Sequence, residues 1–384
     1  MTGSSLAQHS KRALRYCLAQ RSKQKALTCP HASVSIAHRT ASTLAQNSQQ
    51  IFPSTSVYRI TPKTQTQIVP HDVKAAAISK ALYIDCLPPG VANQEVDKEF
   101  HQTFKKAVLE TFFFTPVERH DRTLRNRQPC DLIVEGLFAE LLKYFHAKVD
   151  RKKCNYMLDR DAYFQYPFLR TLPDEGLPAP FLVEGQLMYN ILSDIPAAPL
   201  FSLEQCDQTR DLEITWPDII KTTLDIEQAF HPENIIPGSS AASLPEFPYT
   251  RVILDSAPGA EWSDTTRARG IYFLFARLAS EAIRDGYQPG DTLDTPRVGV
   301  FISSSAYSYH FVFYQLNTLD LISTDGIKNL AWGQTVENIT TNLMPYKKVT
   351  PENLLGPAVL EEVCDLVKLT LLYDLPLREN VSVA

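Results

Sequence analysis

The sequence predicts an α+β fold: a mixed, largely antiparallel sheet with packed helices, preceded by a disordered N-terminal presequence. Three observations carry that expectation. Runs with apolar residues at helical spacing are separated by runs that alternate as strands do. Turn residues, chiefly Pro, Gly, Asn and Asp, punctuate the boundaries. The first 71 residues differ in composition from everything that follows. With 44% hydrophobic and 21% charged residues, the chain can bury a sizeable core. Its 14 glycines and 26 prolines exclude a collagen-like or low-complexity polymer. No apolar run approaches the roughly 20 residues of a membrane-spanning helix.

Taken in order, Val73 to Tyr83 reads as a short helix that stops before Pro88-Pro89-Gly90. Val96 to Phe113 is a second helix, with Phe100, Phe104, Ala107, Val108 and Thr111 on one face. After a basic loop, Asp131 to Lys148 forms a third. Its Leu132, Ile133, Gly136, Leu137, Glu140, Leu141 and Tyr144 follow the i, i+3, i+4 pattern, so most of this face turns to a core. From Tyr156 to Ile195, apolar and polar residues alternate between prolines at 167, 173, 178 and 180, so short strands or a meander are expected. Pro217 to Phe230 looks helical, with proline in the first turn, where its missing N–H is not needed.

Residues 231–248, rich in Pro and Ser, form a loop. It divides an N-terminal helical and α+β region (72–238) from a C-terminal α+β region (239–384). In the second region Tyr249 to Leu254 is a strand. Ser263 or Asp264 caps a helix running through Arg284, which Gly286 ends. Arg297–Ile302 and Tyr309–Leu316 are the strands of a hairpin. In the latter, the odd set (Tyr309, Phe311, Phe313) and the even set (His310, Val312, Tyr314, Leu316) are both largely apolar, as on a central strand covered on two faces. Thr324-Asp325-Gly326 turns into a strand from Ile327 to Trp332, and a last helix runs from Gly356-Pro357 to Leu372.

Charge is unevenly placed. Residues 1–71 hold nine Lys or Arg, eighteen Ser or Thr and no acid; the first carboxylate is Asp72. The rest carries 29 basic against 43 acidic residues, a net charge of −14. A cationic, hydroxyl-rich, acid-free leader has the composition of a mitochondrial or plastid transit peptide. Such a leader is drawn inward as an amphipathic helix by a membrane potential negative inside. Leu6, Ala7, Ala13, Leu14, Cys17 and Leu18 recur at the near-helical spacing this needs. A basic tail that binds nucleic acid is the competing reading of the composition, and a secretory signal lacks its apolar core. Seven scattered cysteines without a CxxC pair fit neither a disulfide framework nor a zinc knuckle.

The sequence contains no GxGxxG, GxxxxGK[ST], HExxH, GxSxG or EF-hand loop. No cofactor or metal is expected. Asp285, Asp291 and Asp294 with His310 suggest an acidic cluster of a hydrolase or nuclease, but aspartates beside Gly-Pro turns are commonly turn residues. His310 on a buried strand reads as a core histidine bonded to the backbone. Two features stand out. The first is a pair of basic islands, Arg119, Arg122, Arg125 and Arg127, then Lys148, Arg151, Lys152 and Lys153, in an otherwise acidic body. Arginine's planar fork suits phosphate; ion pairs at a solvated helix end are the equally open structural reading.

The second feature is the run Phe313-Tyr314-Gln315-Leu316-Asn317-Thr318-Leu319-Asp320-Leu321, followed by Asp325-Gly326-Ile327-Lys328-Asn329-Leu330-Ala331-Trp332. Gln315 and Asn317 lie between apolar strand residues, and amides so placed need buried hydrogen bonds. They read as a lock between a strand end and its neighbours, in preference to an amide-lined pocket.

These two segments resemble the family formed by mitochondrial large ribosomal subunit proteins thirty-seven and sixty-five, the latter also called programmed cell death protein nine. Phe247-Pro248-Tyr249-Thr250 with Leu254-Asp255, the helix at 264–285 and Cys130 to Leu137 add to the likeness. The uninterrupted Asp325–Trp332 run and the acidic body look more like the thirty-seven member. The resemblance implies a non-catalytic part of the mitochondrial large subunit, located in the matrix. It makes Tyr314, Gln315, Leu316, Asn317, Thr318, Lys328, Asn329 and Trp332 structural. The implied partners are other mitochondrial ribosomal proteins, among them the homologous paralogue, and large-subunit rRNA touched at the two basic islands. The competing class is a matrix hydrolase or nuclease using the acidic cluster near 285–294.

Overall fold

The computed structural model describes residues 56–60, 71–88, 91, 101–102, 104–106, 129–171, 178–214, 223–225, 246–256, 263–304, 308–337, 367 and 371–377. Along the chain these form β1 (Ser56–Ile60), α1 (His71–Ile78), β2 (Ala81–Ile84), α2 (Pro129–Lys148), β3 (Tyr156–Thr171) and β4 (Pro178–Ser193). Then follow α3 (Leu203–Asp207), β5 (Thr223–Asp225), β6 (Tyr249–Ser256), α4 (Ser263–Arg284), β7 (Thr292–Ser304), β8 (Tyr309–Thr318) and β9 (Asn329–Val336).

Among the described residues, nine strands make one sheet in the order β2-β9-β8-β7-β6-β4-β1-β5, with β3 pairing to β4. Five of the eight pairings are antiparallel, and β1/β4, β2/β9 and β6/β7 are parallel. The expected mixed, largely antiparallel sheet with packed helices is therefore the fold. Its strands come from both sides of residue 238.

β8 shows why the sheet has two cores. All ten of its residues are buried. Tyr309, Phe311 and Phe313 enter one core with Val134, Phe138 and Phe145 of α2. Val312, Tyr314 and Leu316 enter the other, against Ala75 of α1 and Phe275 of α4. The odd and even apolar sets of this strand thus each meet a layer of helix, as a central strand requires.

α4 lies close against the sheet because glycine leaves room for it. A Cβ at Gly270 would stand 2.5 Å from the Phe301 ring, and one at Gly299 on β7 would stand 2.9 Å from Leu274. The helix ends as its sequence predicts. Gly286 takes φ +104°, Tyr287 N donates to Ala282 O and Gly286 N to Ile283 O, the paired bonds of a Schellman cap. At its start, Asp264 Oδ1 accepts from Thr265 N and Oδ2 from His71 N, so one carboxylate serves the first turns of both α4 and α1. Arg267 on α4 holds Asp72 on α1 at 2.7 Å.

Four expectations need correction. The helix read from Val73 to Tyr83 ends at Ile78; the chain turns through Lys80 at φ +52° and enters β2. Pairing of β2 with β9 outweighs helix propensity there. The meander read from Tyr156 to Ile195 is instead one hairpin of two 16-residue strands, in register from Tyr156↔Ser193 to Thr171↔Pro178. Its prolines do not break it, because among the described residues β3 pairs only with β4, and Pro178 and Pro180 stand at the entrance to β4. Within the helix read from Pro217 to Phe230, Thr223–Asp225 is a strand paired with β1. Residues 56–60, inside the stretch expected to be disordered, form β1, for which Val57-Tyr58-Arg59-Ile60 has the right β-propensity.

Of the helix read at 96–113, residues 101–102 and 104–106 are described and helical; of the last one, 367 and 371. Residues 1–55 and the island Arg119–Arg127 lie outside the described residues.

Candidate functional site

The motif residues converge where the ends of β8 and β9 meet the turn after α1. Gln315 Oε1 accepts from Leu200 N and Phe201 N at 2.8 and 3.0 Å, and its Nε2 donates to Phe201 O at 2.9 Å and Asn317 Oδ1 at 2.8 Å. Asn317 Nδ2 in turn donates to Lys328 O at 2.8 Å. Asn329 is the hub. Its Oδ1 accepts from Asn317 N and Thr318 N, and its Nδ2 donates to Ser79 O and Thr318 O. Tyr314 also donates to Ser79 O, at 3.1 Å, while Thr318 Oγ1 donates to Asp291 O. Trp332 stacks on Phe201, centroids 5.6 Å apart and planes within 8°. Leu316 carries only its apolar surface into the α4 core.

Gln315, Asn317 and Asn329 are fully buried. A buried amide costs free energy unless it is bonded, and here each carboxamide is bonded on both its oxygen and its nitrogen. These bonds tie the strand ends to three neighbouring segments. They are the segment before α3, the turn after α1, and the loop between β8 and β9.

Three buried cations surround that loop. Lys80 Nζ donates to Asp320 O at 2.8 Å and lies 3.3 Å from Asp320 Oδ2. Lys328 Nζ donates to Gly326 O and Arg210 O. Arg170, reaching from β3, donates to Leu321 O and to Ala77 O. Burial lowers all three pKa values, Arg170 to about 10, with Asp320 opposing the shift at Lys80 and Arg170. These cations hold carbonyl groups in place. Lys80 and Arg170 were not legible in the sequence, since nothing local to either marks it as reaching a loop more than a hundred residues away.

The second basic island stands apart from the lock, where α2 hands over to β3. Lys148 is in the last turn of α2, where a cation offsets the partial negative charge of the helix end. Arg151, Lys152 and Lys153 are exposed on the following turn.

The acidic cluster does not assemble with His310. Asp285 pairs with Arg297 at 2.7 Å, and Asp291 accepts from Gln288 N and, through its carbonyl, from Leu319 N; both are turn residues. His310 pairs with Ser303 at the far end of the β7/β8 hairpin from Thr292↔Thr318, eight residues along β8, about 27 Å at strand rise. Its ring nitrogens meet Ser308 Oγ and Thr335 Oγ1, side chains where backbone was expected. Burial, and then Arg267, lower its pKa to about 4.

No protein-family model matches the chain. It is similar to Large ribosomal subunit protein mL37 of Gallus gallus, 30% identical over 160 residues, which is 40% of this chain and 36% of that protein. Proteins of the same name from Rattus norvegicus and Bos taurus are 29% identical over 143 and 142 residues, 36% of this chain and 33% of each. The chain thus matches about a third of the length of these curated relatives. They carry the name of the thirty-seven member, the one to which the uninterrupted Asp325–Trp332 run pointed.

Proposed function

We propose that the chain is a structural, non-catalytic constituent of the mitochondrial large ribosomal subunit. The likeness to Large ribosomal subunit protein mL37 carries this reading. The motif residues support it, since each polar one serves the fold. The cationic, acid-free leader supports delivery to the matrix. No helix among the described residues is long and apolar enough to cross a membrane.

Affinity for rRNA comes mainly from phosphate neutralised by Lys and Arg. A body of net charge −14 therefore attaches chiefly through protein neighbours, the homologous paralogue among them, and touches rRNA at Arg119–Arg127 and Lys148–Lys153. The experiment is sedimentation of organelle lysate followed by a high-salt wash. The chain is expected to run with the large subunit and to stay on it after the wash. Migration at the top of the gradient overturns the ribosomal reading. Release with the salt-labile proteins overturns attachment through protein neighbours.

A further inference from the structure

The six residues 148–153 carry four cations and one carboxylate. That carboxylate is already engaged, since Asp150 Oδ1 accepts from Lys152 N at 3.0 Å and Oδ2 lies 4.0 Å from Lys153 Nζ. Lys148 lies over the Tyr144 ring at 5.5 Å. Arg151 is the unusual member. Seven other described arginines, from Arg160 to Arg297, lie within ion-pair distance of a carboxylate. Arg151 has no acidic partner among the described residues; its guanidinium sits 4.6 Å from the centroid of Tyr156.

Tyr156 is itself fixed. Its hydroxyl is 2.6 Å from His146 Nδ1, and Phe145 meets its ring edge-on at 4.8 Å. Stacking on an anchored ring restrains the arginine while leaving its N–H donors for a ligand. The neighbouring Lys152 ammonium also has no anion partner among the described residues. With no carboxylate among the described residues paired to it, this fork is open to an anion from outside.

We propose, on the reading that the chain is a ribosomal constituent, that this corner grips RNA backbone phosphate, with Arg151 as the fork and Lys152 and Lys153 flanking it. A fixed planar donor beside two mobile ammonium groups suits a line of repeating anions better than a single carboxylate of a protein neighbour. Base identity is not read there, because one face of Tyr156 is already covered by the arginine.

The test uses particles assembled with the full chain. After ultraviolet irradiation and tryptic digestion, the peptide 154–160, which carries Tyr156, is expected to bear a nucleotide adduct. In particles carrying Arg151→Ala, Lys152→Ala and Lys153→Ala together, where trypsin releases Tyr156 within the longer peptide 149–160, the adduct on that peptide should fall roughly ten-fold or more, as expected when three phosphate contacts are lost. Arg151→Lys alone should restore less than half, because the fork is gone. An adduct-free peptide in unaltered particles, or an undiminished yield in the triple variant, overturns the proposal. Amine-reactive crosslinks from Lys152 and Lys153 to an acidic protein, in place of the nucleotide adduct, assign the corner to a protein neighbour and overturn it too. In each of these cases the chain still sediments with the large subunit and the ribosomal reading survives. Failure of the unaltered chain to sediment there sinks both.

Discussion

The lock at the ends of β8 and β9 and the basic corner after α2 are both polar clusters in an acidic body, and they are built in opposite ways. In the lock, Gln315, Asn317 and Asn329 are fully buried and every carboxamide is bonded to backbone or to another amide. In the corner, Arg151 and Lys152 are exposed and lack acidic partners among the described residues. The motif run of β8 and β9 therefore faces inward. A run such as Tyr314-Gln315-Leu316-Asn317-Thr318 marks a way of closing a sheet, whereas the exposed cations proposed to meet RNA follow no recognisable pattern.

The largest expected effect lies in the lock. Asn329→Ala orphans Asn317 N and Thr318 N and removes the donor to Ser79 O and Thr318 O. At about 1–3 kcal/mol for each buried group left unbonded, a loss of roughly 3–5 kcal/mol is expected. The urea midpoint should drop with little change in slope. A loss below about 1 kcal/mol would mean that the network is ornamental and that the contrast with the corner is false.

Next is His310, near Arg267 and bonded to Ser308 and Thr335. Its folded pKa of about 4 lies below the ordinary 6.5. Between those values the unfolded chain binds a proton that the folded chain refuses, so stability falls as pH drops from 6.5 towards 4 and is unaffected above 6.5. The shift is worth at most about 3 kcal/mol. His310→Gln, which can still bond both hydroxyls, should lose less stability than the wild type on going from pH 7 to 4.5. Parallel acid limbs for the two proteins would remove His310 from the account.

What the sequence disclosed follows from the range of the interactions. β8 was legible because burial on both faces writes itself into consecutive residues, and the end of α4 because Gly286 is a local signal. The need for buried bonds at Gln315 and Asn317 was legible for the same reason. The partners of Gln315 were not, because Leu200 and Phe201 lie 115 and 114 residues away and offer it only main-chain groups. The β3/β4 hairpin was misread because proline suggests interruption, whereas an edge strand and a strand entrance tolerate it. The turn at Lys80 was missed because a lysine with positive φ, buried against Asp320, has no local signature.

A smaller effect is expected where α4 meets the sheet, away from both clusters. Gly270→Val places its first carbon within 2.5 Å of the Phe301 ring, between a helix and a strand that have little room to separate. Overpacking of this kind costs about 1–3 kcal/mol, somewhat more than the gain in helix propensity returns. Pairing it with Phe301→Leu should recover part of the loss in thermal melts. Equal damage in the single and double variants would show that the strain falls elsewhere.

The smallest effect is the one that sharpens the contrast most. Lys152 is exposed, and its side chain makes no bond among the described residues; only its backbone N–H is held, by Asp150. Lys152→Ala therefore leaves both the turn and the core intact, and its stability should match the wild type within about 0.5 kcal/mol in urea. Arg151→Ala differs, because it also gives up the stacking on Tyr156, worth about 0.5–1 kcal/mol at an exposed site. A corner built for an outside anion tolerates both changes in the isolated protein and reports them only in the assembled particle. A Lys152→Ala variant that unfolds more easily by 1 kcal/mol or more would place that lysine in the fold, and the corner would then be another lock.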